Sequence, residues 1–502
     1  MNRRTAIAGA IALALLAGCS QPAGTGTDAD AAQQRTLGTL AFKACSLASP
    51  LPGAEPLEAQ CTTFEVPEDR ANPGGRKIAL NIAWIPAGND ADPAPDPVFY
   101  LAGGPGQSAV ETFPALAPVF RDVMKDRGML LVDQRGTGKS NLLACPDDTD
   151  EAMDGPPDPQ AMQAAARTCV EALSRHADLR HYTTTDAVAD LDAVRKAIGA
   201  QAVNLVGVSY GTRVAQQYAL RHPQQVRTIT LDSPVPNTLG LGNIFARNLD
   251  NALAAQFALC RENPACNERM GDPREQLQAL LARLRANPMQ VSYRDSSTGE
   301  EKTGTLDAQT VAGLVRMYAY MPAAGALLPQ LIREANAGRP GNLMALAQML
   351  HAQMQDAMAM GMQMSVVCSE DAESMVTRAE DADTVLGNSM VEAMAAMCTA
   401  WPRGAKPADF NTALSGELPV LVLTGEFDPV TPPAYGEQIV KTLPNARWLD
   451  LKGQGHNVIG AGCMPKLFAQ FIEKADAKAL DATCLDSLAH VPPFTSFNGW
   501  EP

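Results

Sequence analysis

Positive charge is scarce in this chain of 502 residues, which carries 40 lysines and arginines against 55 aspartates and glutamates, a net charge of −15. A balance this acidic argues against nucleic acid or an anionic membrane surface as the main partner. Cationic ligands, including peptides with a free amino group, remain compatible with it. The apolar fraction of 46% and the charged fraction of 19% are typical of an ordinary globular protein.

Motifs for metal ions and nucleotides are missing. The chain has neither a CxxC nor an HExxH pattern, so we expect no metal and no cofactor. The stretch DQRGTGKS ends like a phosphate-binding loop, but that motif requires a glycine five residues before Gly138. The chain has Asp133 at that position, so nucleotide binding is not expected.

The apolar run near the N-terminus, Ala6 to Leu16, is too short to span a bilayer. A basic start precedes it and LAGC follows it, which is typical of an export signal and resembles a bacterial lipobox with Cys19 as the lipidated residue. We therefore expect residues 1–19 to be a lipoprotein signal peptide and residues 20–40 a flexible tether. The mature protein would be exported and held at the bacterial cell envelope through its lipid alone. A buried helix is the alternative.

The remaining ten cysteines are even in number and fall into five couples of near neighbours in the sequence. An oxidising compartment favours disulfides, although counting alone does not fix their connectivity. Each unstrained bond is worth about 2–4 kcal/mol of stability. The predicted pairs are Cys45 with Cys61, Cys145 with Cys169, Cys260 with Cys266, Cys368 with Cys398, and Cys463 with Cys484.

Apolar strand candidates alternate with helical patterns over two parts of the chain. Most candidates are continuous apolar runs, typical of parallel strands covered on both faces. The helical stretch TTDAVADLDAVRKAIG has its apolar residues on one face, with Thr184 or Thr185 as the expected N-cap, and a second helix is expected over residues 212–220. Together they predict an α/β sheet. The strand candidates are residues 62–66, 77–85, 97–101, 128–132, 202–208, 226–231, 418–423 and 446–451.

The strand pattern stops between residues 239 and 411, a stretch rich in helix formers. We therefore assign residues 41–238 and 412–502 to one sheet domain and residues 239–411 to a mainly helical lid inserted into it. The lid contains MALAQMLHAQMQDAMAMGMQM, whose methionines give an adaptable apolar surface. A helix core and a plastic surface facing the substrate are both compatible with this composition.

Ser209 lies in VNLVGVSYGT, a Gly-x-Ser-x-Gly turn between an apolar strand and a helical segment. A catalytic serine needs a histidine base, and the base needs an orienting carboxylate. Of six histidines, only His456 lies in a glycine-rich loop, GQGHNV, after a late strand. Asp428 in GEFDPVTPP follows another strand and gives the chain order serine, acid, histidine. Asp232 in LDSPVP is the rival acid.

Acyl transfer also needs two backbone amides that stabilise the oxyanion, each worth about 3–4 kcal/mol. One is expected from Tyr210, the residue after the nucleophile. We assign the other to Gly104 in FYLAGGPGQS, where glycines permit close approach of the backbone. A simple turn at the end of a strand is the alternative for this loop.

Five motifs in this order, AGGPGQS, VDQRGTGKS, GVSYGT, GEFDPVTP and GQGH, resemble those of secreted α/β-hydrolase serine peptidases of the tripeptidyl and prolyl aminopeptidase group. The resemblance covers about residues 42–236 and 418–484. It implies an α/β-hydrolase fold and a serine exopeptidase that cleaves peptides with a free N-terminus. The couples Cys260 with Cys266 and Cys368 with Cys398 are also similar to the disulfides of that group's insertion. Ala102 stands where many prolyl aminopeptidases have histidine, which argues against narrow proline specificity.

In this group, lid carboxylates recognise the α-ammonium of the substrate. The resemblance implies that role for Glu370 and Asp371, which lie beside Cys368. An esterase or lipase of the same fold is the alternative function, because a fold does not fix its substrate. A lipoprotein that binds peptides without cleaving them is a third reading, and it predicts that Ser209 does not react with a fluorophosphonate.

Overall fold

The computed structural model describes residues 34–51, 53–89, 91–146, 158–355 and 358–500. The predicted signal peptide, Cys19 and most of the predicted tether lie outside these residues. The end of the tether is corrected by the structure, because Gln34–Leu37 forms strand β1 and pairs antiparallel with β2, Leu40–Leu47. The hairpin is fixed to the body of the protein, since the Thr39 amide donates to the Ala197 carbonyl at 2.8 Å.

Within the described residues, ten strands form one sheet in the order β1-β2-β3-β4-β6-β5-β7-β8-β11-β12. Strands β1 to β4 are antiparallel, and the strands from β6 to β12 in that order are parallel. All eight strand candidates are confirmed, with ends shifted by a few residues. The remaining bounds are β3 Leu57–Pro67, β4 Lys77–Ile85, β5 Val98–Leu101, β6 Met129–Val132, β7 Val203–Val208, β8 Val226–Asp232, β11 Val420–Gly425 and β12 Ala446–Leu451.

Helices cover both faces of this sheet and bury two apolar cores, one on each side. The strand order changes direction around β5, which has β6 on one side and β7 on the other. Ligands of open α/β sheets bind at such a switch point, beyond the carboxyl ends of the strands. The helices of this part are α1 Ala109–Phe120, α2 Pro159–Leu173, α3 Thr184–Ala197, α4 Tyr210–Arg221, α14 Pro433–Val440 and α15 Met464–Lys474.

The N-cap of α3 is Thr183, not Thr184 or Thr185 as predicted. Thr183 has extended backbone angles, and its hydroxyl oxygen accepts a hydrogen bond from the Asp186 amide at 3.2 Å. Thr184 is instead the first residue of the helix, and its amide and hydroxyl both donate to Glu370.

The segment between β8 and β11 is mainly helical, as expected, and buries an apolar core of its own. It also contains a hairpin that was not predicted, β9 Met289–Arg294 with β10 Glu301–Leu306. The hairpin strands are mostly solvent-exposed, and the second, EKTGTL, has almost no apolar residues. The first, MQVSYR, alternates apolar and polar residues, so the sequence did contain a usable signal for it. The lid helices are α5 Phe245–Glu262, α6 Pro264–Met270, α7 Pro273–Ala286, α8 Ala308–Ala319, α9 Pro322–Gly325, α10 Leu328–Asn336, α11 Gly341–Gln355, α12 Met360–Glu370 and α13 Ser389–Cys398.

The methionine-rich stretch serves mainly as helix core where its side chains are described. Met344, Met362 and Met364 are buried. Met358, just before α12, differs because it lies against Gly106, on the loop that follows β5. One end of this stretch therefore faces the carboxyl ends of the strands.

The five predicted disulfides are all present: Cys45–Cys61, Cys145–Cys169, Cys260–Cys266, Cys368–Cys398 and Cys463–Cys484. The first joins neighbouring strands, and the fourth joins helices α12 and α13 of the lid. In the part of the chain that the structure describes, no helix combines the length and apolar composition needed to cross a membrane.

Candidate active site

Ser209 lies at the turn from β7 into α4, with φ of 54° and ψ of −121°. A non-glycine residue in this region carries strain of about 1–3 kcal/mol and persists only where its surroundings impose it. A side chain on Gly207 would overlap the Gly211 carbonyl, and one on Gly211 would overlap the Leu101 carbonyl. The Gly-x-Ser-x-Gly sequence is therefore what lets the chain turn sharply enough to hold Ser209 at the carboxyl edge of the sheet.

The imidazole of His456 and the carboxylate of Asp428 are paired, with Nδ1 and Oδ2 2.7 Å apart and both side chains almost fully buried. The amides of Val430 and Thr431 donate to Asp428 Oδ1 at 2.8 Å each, and the Thr431 hydroxyl donates to Oδ2 at 2.8 Å. These donors fix the carboxylate in the loop after β11 and leave it facing the histidine.

Each ionisable group of this pair shifts the pKa of the other. Burial alone would raise the pKa of Asp428, but the adjacent His456 and the amide donors bring that pKa below its ordinary value. Burial alone would lower the pKa of His456, but the Asp428 carboxylate raises it above its ordinary value. The pair can therefore stabilise the imidazolium that forms when His456 accepts a proton.

Asp232, the alternative candidate for the catalytic acid, forms hydrogen bonds with backbone amides and not with the imidazole of His456. Its carboxylate accepts the amides of Val458 and Ile459 at 2.9 and 3.0 Å. Its backbone carbonyl accepts the Ser209 amide at 2.9 Å. Burial raises the pKa of Asp232 to about 6. The structure thus brings His456 to Asp428 and gives Asp232 a bridging role between the serine turn and the histidine loop.

The loop after β5 approaches Ser209 closely. A Cβ on Gly103 would lie 3.3 Å from the Ser209 Cβ, so only glycine leaves the serine open here. The next residue, Gly104, has φ of 108°, in the region that favours glycine. Among the described residues, no acceptor is found for the amides of Gly104 and Tyr210, the two predicted oxyanion donors. Both are free to bind a developing negative charge.

The stretch DQRGTGKS, which resembles a phosphate-binding loop, stabilises the oxyanion loop. The oxyanion loop is the glycine-rich loop after β5 that contains Gly103, Gly104 and Gly106. Asp133 is buried and accepts hydrogen bonds from the Ser108 hydroxyl at 2.6 Å, the Val110 amide at 3.0 Å and the Asn81 side chain at 2.8 Å. Ser108 is the N-cap of α1, directly after the glycine-rich loop. Asp133, which stands where a phosphate-binding loop requires glycine, therefore has a structural role.

Comparison with known proteins agrees with this geometry. The family model for the alpha/beta hydrolase fold matches residues 96–460, which contain the serine turn, both acids and the histidine. The chain belongs to the alpha/beta hydrolase family. No group of three or more histidine, cysteine, aspartate or glutamate side chains is arranged to hold a metal ion in the described ranges of this hydrolase.

Several relatives of this hydrolase are peptidases by name. The chain is 30% identical over 250 residues to a tripeptidyl aminopeptidase of Streptomyces lividans, and it spans about half the length of that relative, 46% of each chain being matched. It is 24% identical over 467 residues to the serine protease Hip1 of Mycobacterium tuberculosis, covering 85% of this chain and 87% of that one. A solved proline iminopeptidase from Mycobacterium smegmatis aligns with 15% identity and a TM-score of 0.40, over 83% of this chain and 100% of its own.

The lid of this hydrolase contacts both catalytic loops. The Ala359 amide donates to the Gly106 carbonyl at 3.0 Å, which fixes the start of α12 over the oxyanion loop. The His456 amide donates to the Tyr320 carbonyl at 2.9 Å, and the two rings meet edge to face at 5.0 Å. The lid therefore contributes residues to the active site.

The structure corrects the prediction for Glu370 and Asp371, which are almost fully buried and already have internal partners. Asp371 forms a buried ion pair with Arg213 at 2.7 Å, so its charge is neutralised within the protein. Both carboxylate oxygens of Glu370 accept from Thr184, at 2.6 and 2.8 Å, and the Thr184 hydroxyl lies 2.6 Å from that of Tyr210. Burial raises the pKa of Glu370 to about 7. These two acids hold α12 against the neighbouring helices α3 and α4, and neither side chain is exposed to solvent.

Several residues that shape the site were not predicted from the sequence. Thr431 had a usable signal, because a threonine three residues after an aspartate commonly donates back to it in a turn. Tyr320 and Ala359 had none, since they reach the site only through long-range packing of the lid.

Proposed function

We propose that this hydrolase is a serine aminopeptidase that releases short peptides, of tripeptidyl or prolyl type, from free N-termini. The observation that carries the proposal is the site itself: a strained Ser209, a paired His456 and Asp428, and two unengaged amides. A serine, a histidine paired with an aspartate and two free backbone amides are the groups that acyl transfer requires. The choice of peptide as substrate is supported by the names of the relatives and by a net charge of −15, which favours cationic ligands.

In the proposed reaction, Ser209 Oγ attacks the scissile carbonyl while His456 accepts its proton. The Gly104 and Tyr210 amides stabilise the oxyanion of the tetrahedral intermediate. His456 then donates the proton to the leaving amine, which breaks the peptide bond and leaves an acyl-enzyme on Ser209. Water activated by the same histidine hydrolyses the ester and restores the enzyme. Asp428 holds the imidazole in position through both halves of the cycle.

A substrate comparison tests this proposal. Rates are measured on matched peptide anilides with free and with acetylated N-termini, alongside a p-nitrophenyl ester, using the chain from Ser20 onward. The expected result is cleavage of free but not acetylated peptides, and loss of that activity in Ser209→Ala. Turnover of the ester with both peptides untouched would contradict the peptidase assignment. It would favour the esterase alternative, for which the contact of Met358 with the oxyanion loop supplies an apolar wall.

We also propose that the enzyme is exported and lipid-anchored through Cys19. Five disulfides support an oxidising compartment. Cell fractionation of the wild type and of Cys19→Ala tests the anchor, with the wild type expected in the membrane fraction and the variant absent from it. Equal membrane association of both proteins would contradict lipidation at Cys19.

A further inference from the structure

Arg316, on lid helix α8, is partly exposed and forms no ion pair with an acidic side chain among the residues that the structure describes. Its guanidinium lies over the Phe245 ring at 5.1 Å and over the Tyr320 ring at 6.0 Å. No carboxylate of a described residue comes within 4.0 Å of it, and its hydrogen bond to the Tyr320 hydroxyl is long, at 3.5 Å. Two other lid arginines are paired, Arg274 with Asp250 and Arg247 with Asp381.

Arg316 lies on the histidine side of the active site. Tyr320 contacts both Arg316 and His456. Its ring is 5.0 Å from the His456 ring, and its carbonyl accepts the His456 amide. Burial and Asp428 dominate the pKa of His456, which is raised overall, and the positive charge of Arg316 is near enough to oppose that rise. The neighbouring Met321 is 60% exposed, and Arg316 itself is partly exposed.

The reaction determines which part of a substrate meets this region. His456 must face the leaving amine in order to protonate it, so side chains next to His456 face the residues after the scissile bond. Two aromatic rings lie against the guanidinium, and no carboxylate in the described part of the chain accepts from it. A planar guanidinium of this kind binds carboxylates through paired hydrogen bonds.

We propose that Arg316 binds a carboxylate carried by the residue directly after the scissile bond, so that the preferred substrates are peptides with a negative charge on the leaving group. This inference rests on the proposed aminopeptidase function. The carboxylate has two possible sources, the C-terminus of a single leaving residue or an acidic side chain in a longer peptide.

Three peptides that share the same N-terminal residues separate these sources. They end in alanine with a free carboxylate, in alanine amide, and in aspartate amide, and their kcat/KM values are compared by chromatography of the products. We expect the wild type to prefer at least one carboxylate peptide over alanine amide by about tenfold, the scale of one charge-assisted hydrogen bond at a partly exposed site. A preference for the free C-terminus alone identifies very short peptides, and one for aspartate amide identifies acidic side chains.

The variants Arg316→Gln and Arg316→Lys test whether Arg316 supplies this preference, with active enzyme counted by fluorophosphonate titration so that misfolded protein does not enter the rates. The Gln variant should bring the ratio between carboxylate and amide peptides close to one, and the Lys variant should keep part of it. Arg285→Gln, an exposed arginine of α7, is the matched control and should keep the wild-type ratio.

Equal cleavage of all three peptides by the wild type, or an unchanged ratio in Arg316→Gln, would overturn this inference and leave the aminopeptidase assignment standing. If the wild type cleaves no free-amine peptide or anilide but turns over the ester, both proposals fail together.

Discussion

The backbone carbonyl of Asp232 accepts the amide hydrogen of Ser209 at 2.9 Å, while the carboxylate of the same residue binds the two amides that follow the histidine loop. The buried residue Asp232 thereby fixes the turn that holds Ser209 and the loop that holds His456 relative to each other. This relationship explains why the acid that orients the imidazole comes from β11, through Asp428, and not from the neighbouring strand β8.

The two acids are predicted to differ sharply on substitution. Asp428→Asn should lower kcat by about 10⁴-fold, because the amide cannot hold the productive tautomer of His456. Asp232→Asn should lower kcat far less, by about tenfold to a hundredfold, because it disturbs only the placement of the loops. The measurement is kcat on a free-amine peptide anilide, normalised to folded enzyme. A larger loss for Asp232→Asn would reverse the assignment of the acid.

The Asp428 carboxylate should also determine the pH dependence of activity. Because His456 acts as a base when neutral, and its pKa is raised above its ordinary value of 6.5, the acidic limb of kcat/KM should lie above pH 6.5 in the wild type. Removing the charge in Asp428→Asn lowers the pKa of His456, so the limb of the residual activity should move to lower pH. A limb that stays in place would show that another group controls it.

Thr431 is predicted to act through Asp428. Its hydroxyl donates to Oδ2 at 2.8 Å and lies 3.4 Å from His456 Nδ1, so Thr431→Val removes a donor that holds the carboxylate. We expect kcat to fall about tenfold, the cost of one hydrogen bond to a charged group, with KM little changed. Thr431→Ser keeps the donor and should retain most of the activity. Equal losses in both variants would point to packing by the methyl group instead.

Glu370 is predicted to make stability depend on pH. Its pKa is raised from 4.5 to about 7 in the folded state, so the stability it contributes is complete below pH 4.5 and is lost as the pH rises through 7. Glu370→Gln imitates the protonated form and removes this dependence. The melting temperature of the wild type should therefore fall relative to that of the variant between pH 5 and pH 8.

The opposite reading of Glu370, as a ligand of the substrate's ammonium, has its own signature. In that case Glu370→Gln would raise KM for free-amine peptides strongly while leaving the pH dependence of the melting temperature unchanged. That outcome would restore the role that the sequence resemblance implies.

The sequence was informative wherever a local pattern controls the structure. Continuous apolar runs marked the parallel strands, and the small residues around Ser209 marked the turn, because a side chain at Gly211 has no room. It was misleading where burial depends on distant partners. Nothing in SVVCSED reveals that Asp371 meets Arg213, 158 residues earlier, or that Glu370 meets Thr184 on another helix. Strands β1 and β10 were missed because they carry little apolar alternation, whereas β9, MQVSYR, alternates and was overlooked within a segment rich in helix formers.

Covalent labelling shows whether Ser209 is the nucleophile of an aminopeptidase. The enzyme is treated with a fluorophosphonate, with or without an excess of a free-amine peptide or its acetylated counterpart, and the adduct is located by mass spectrometry of proteolytic fragments. We expect one adduct, on Ser209, whose formation is slowed by the free-amine peptide and not by the acetylated one. Absence of an adduct on Ser209, or equal protection by both peptides, would contradict this expectation.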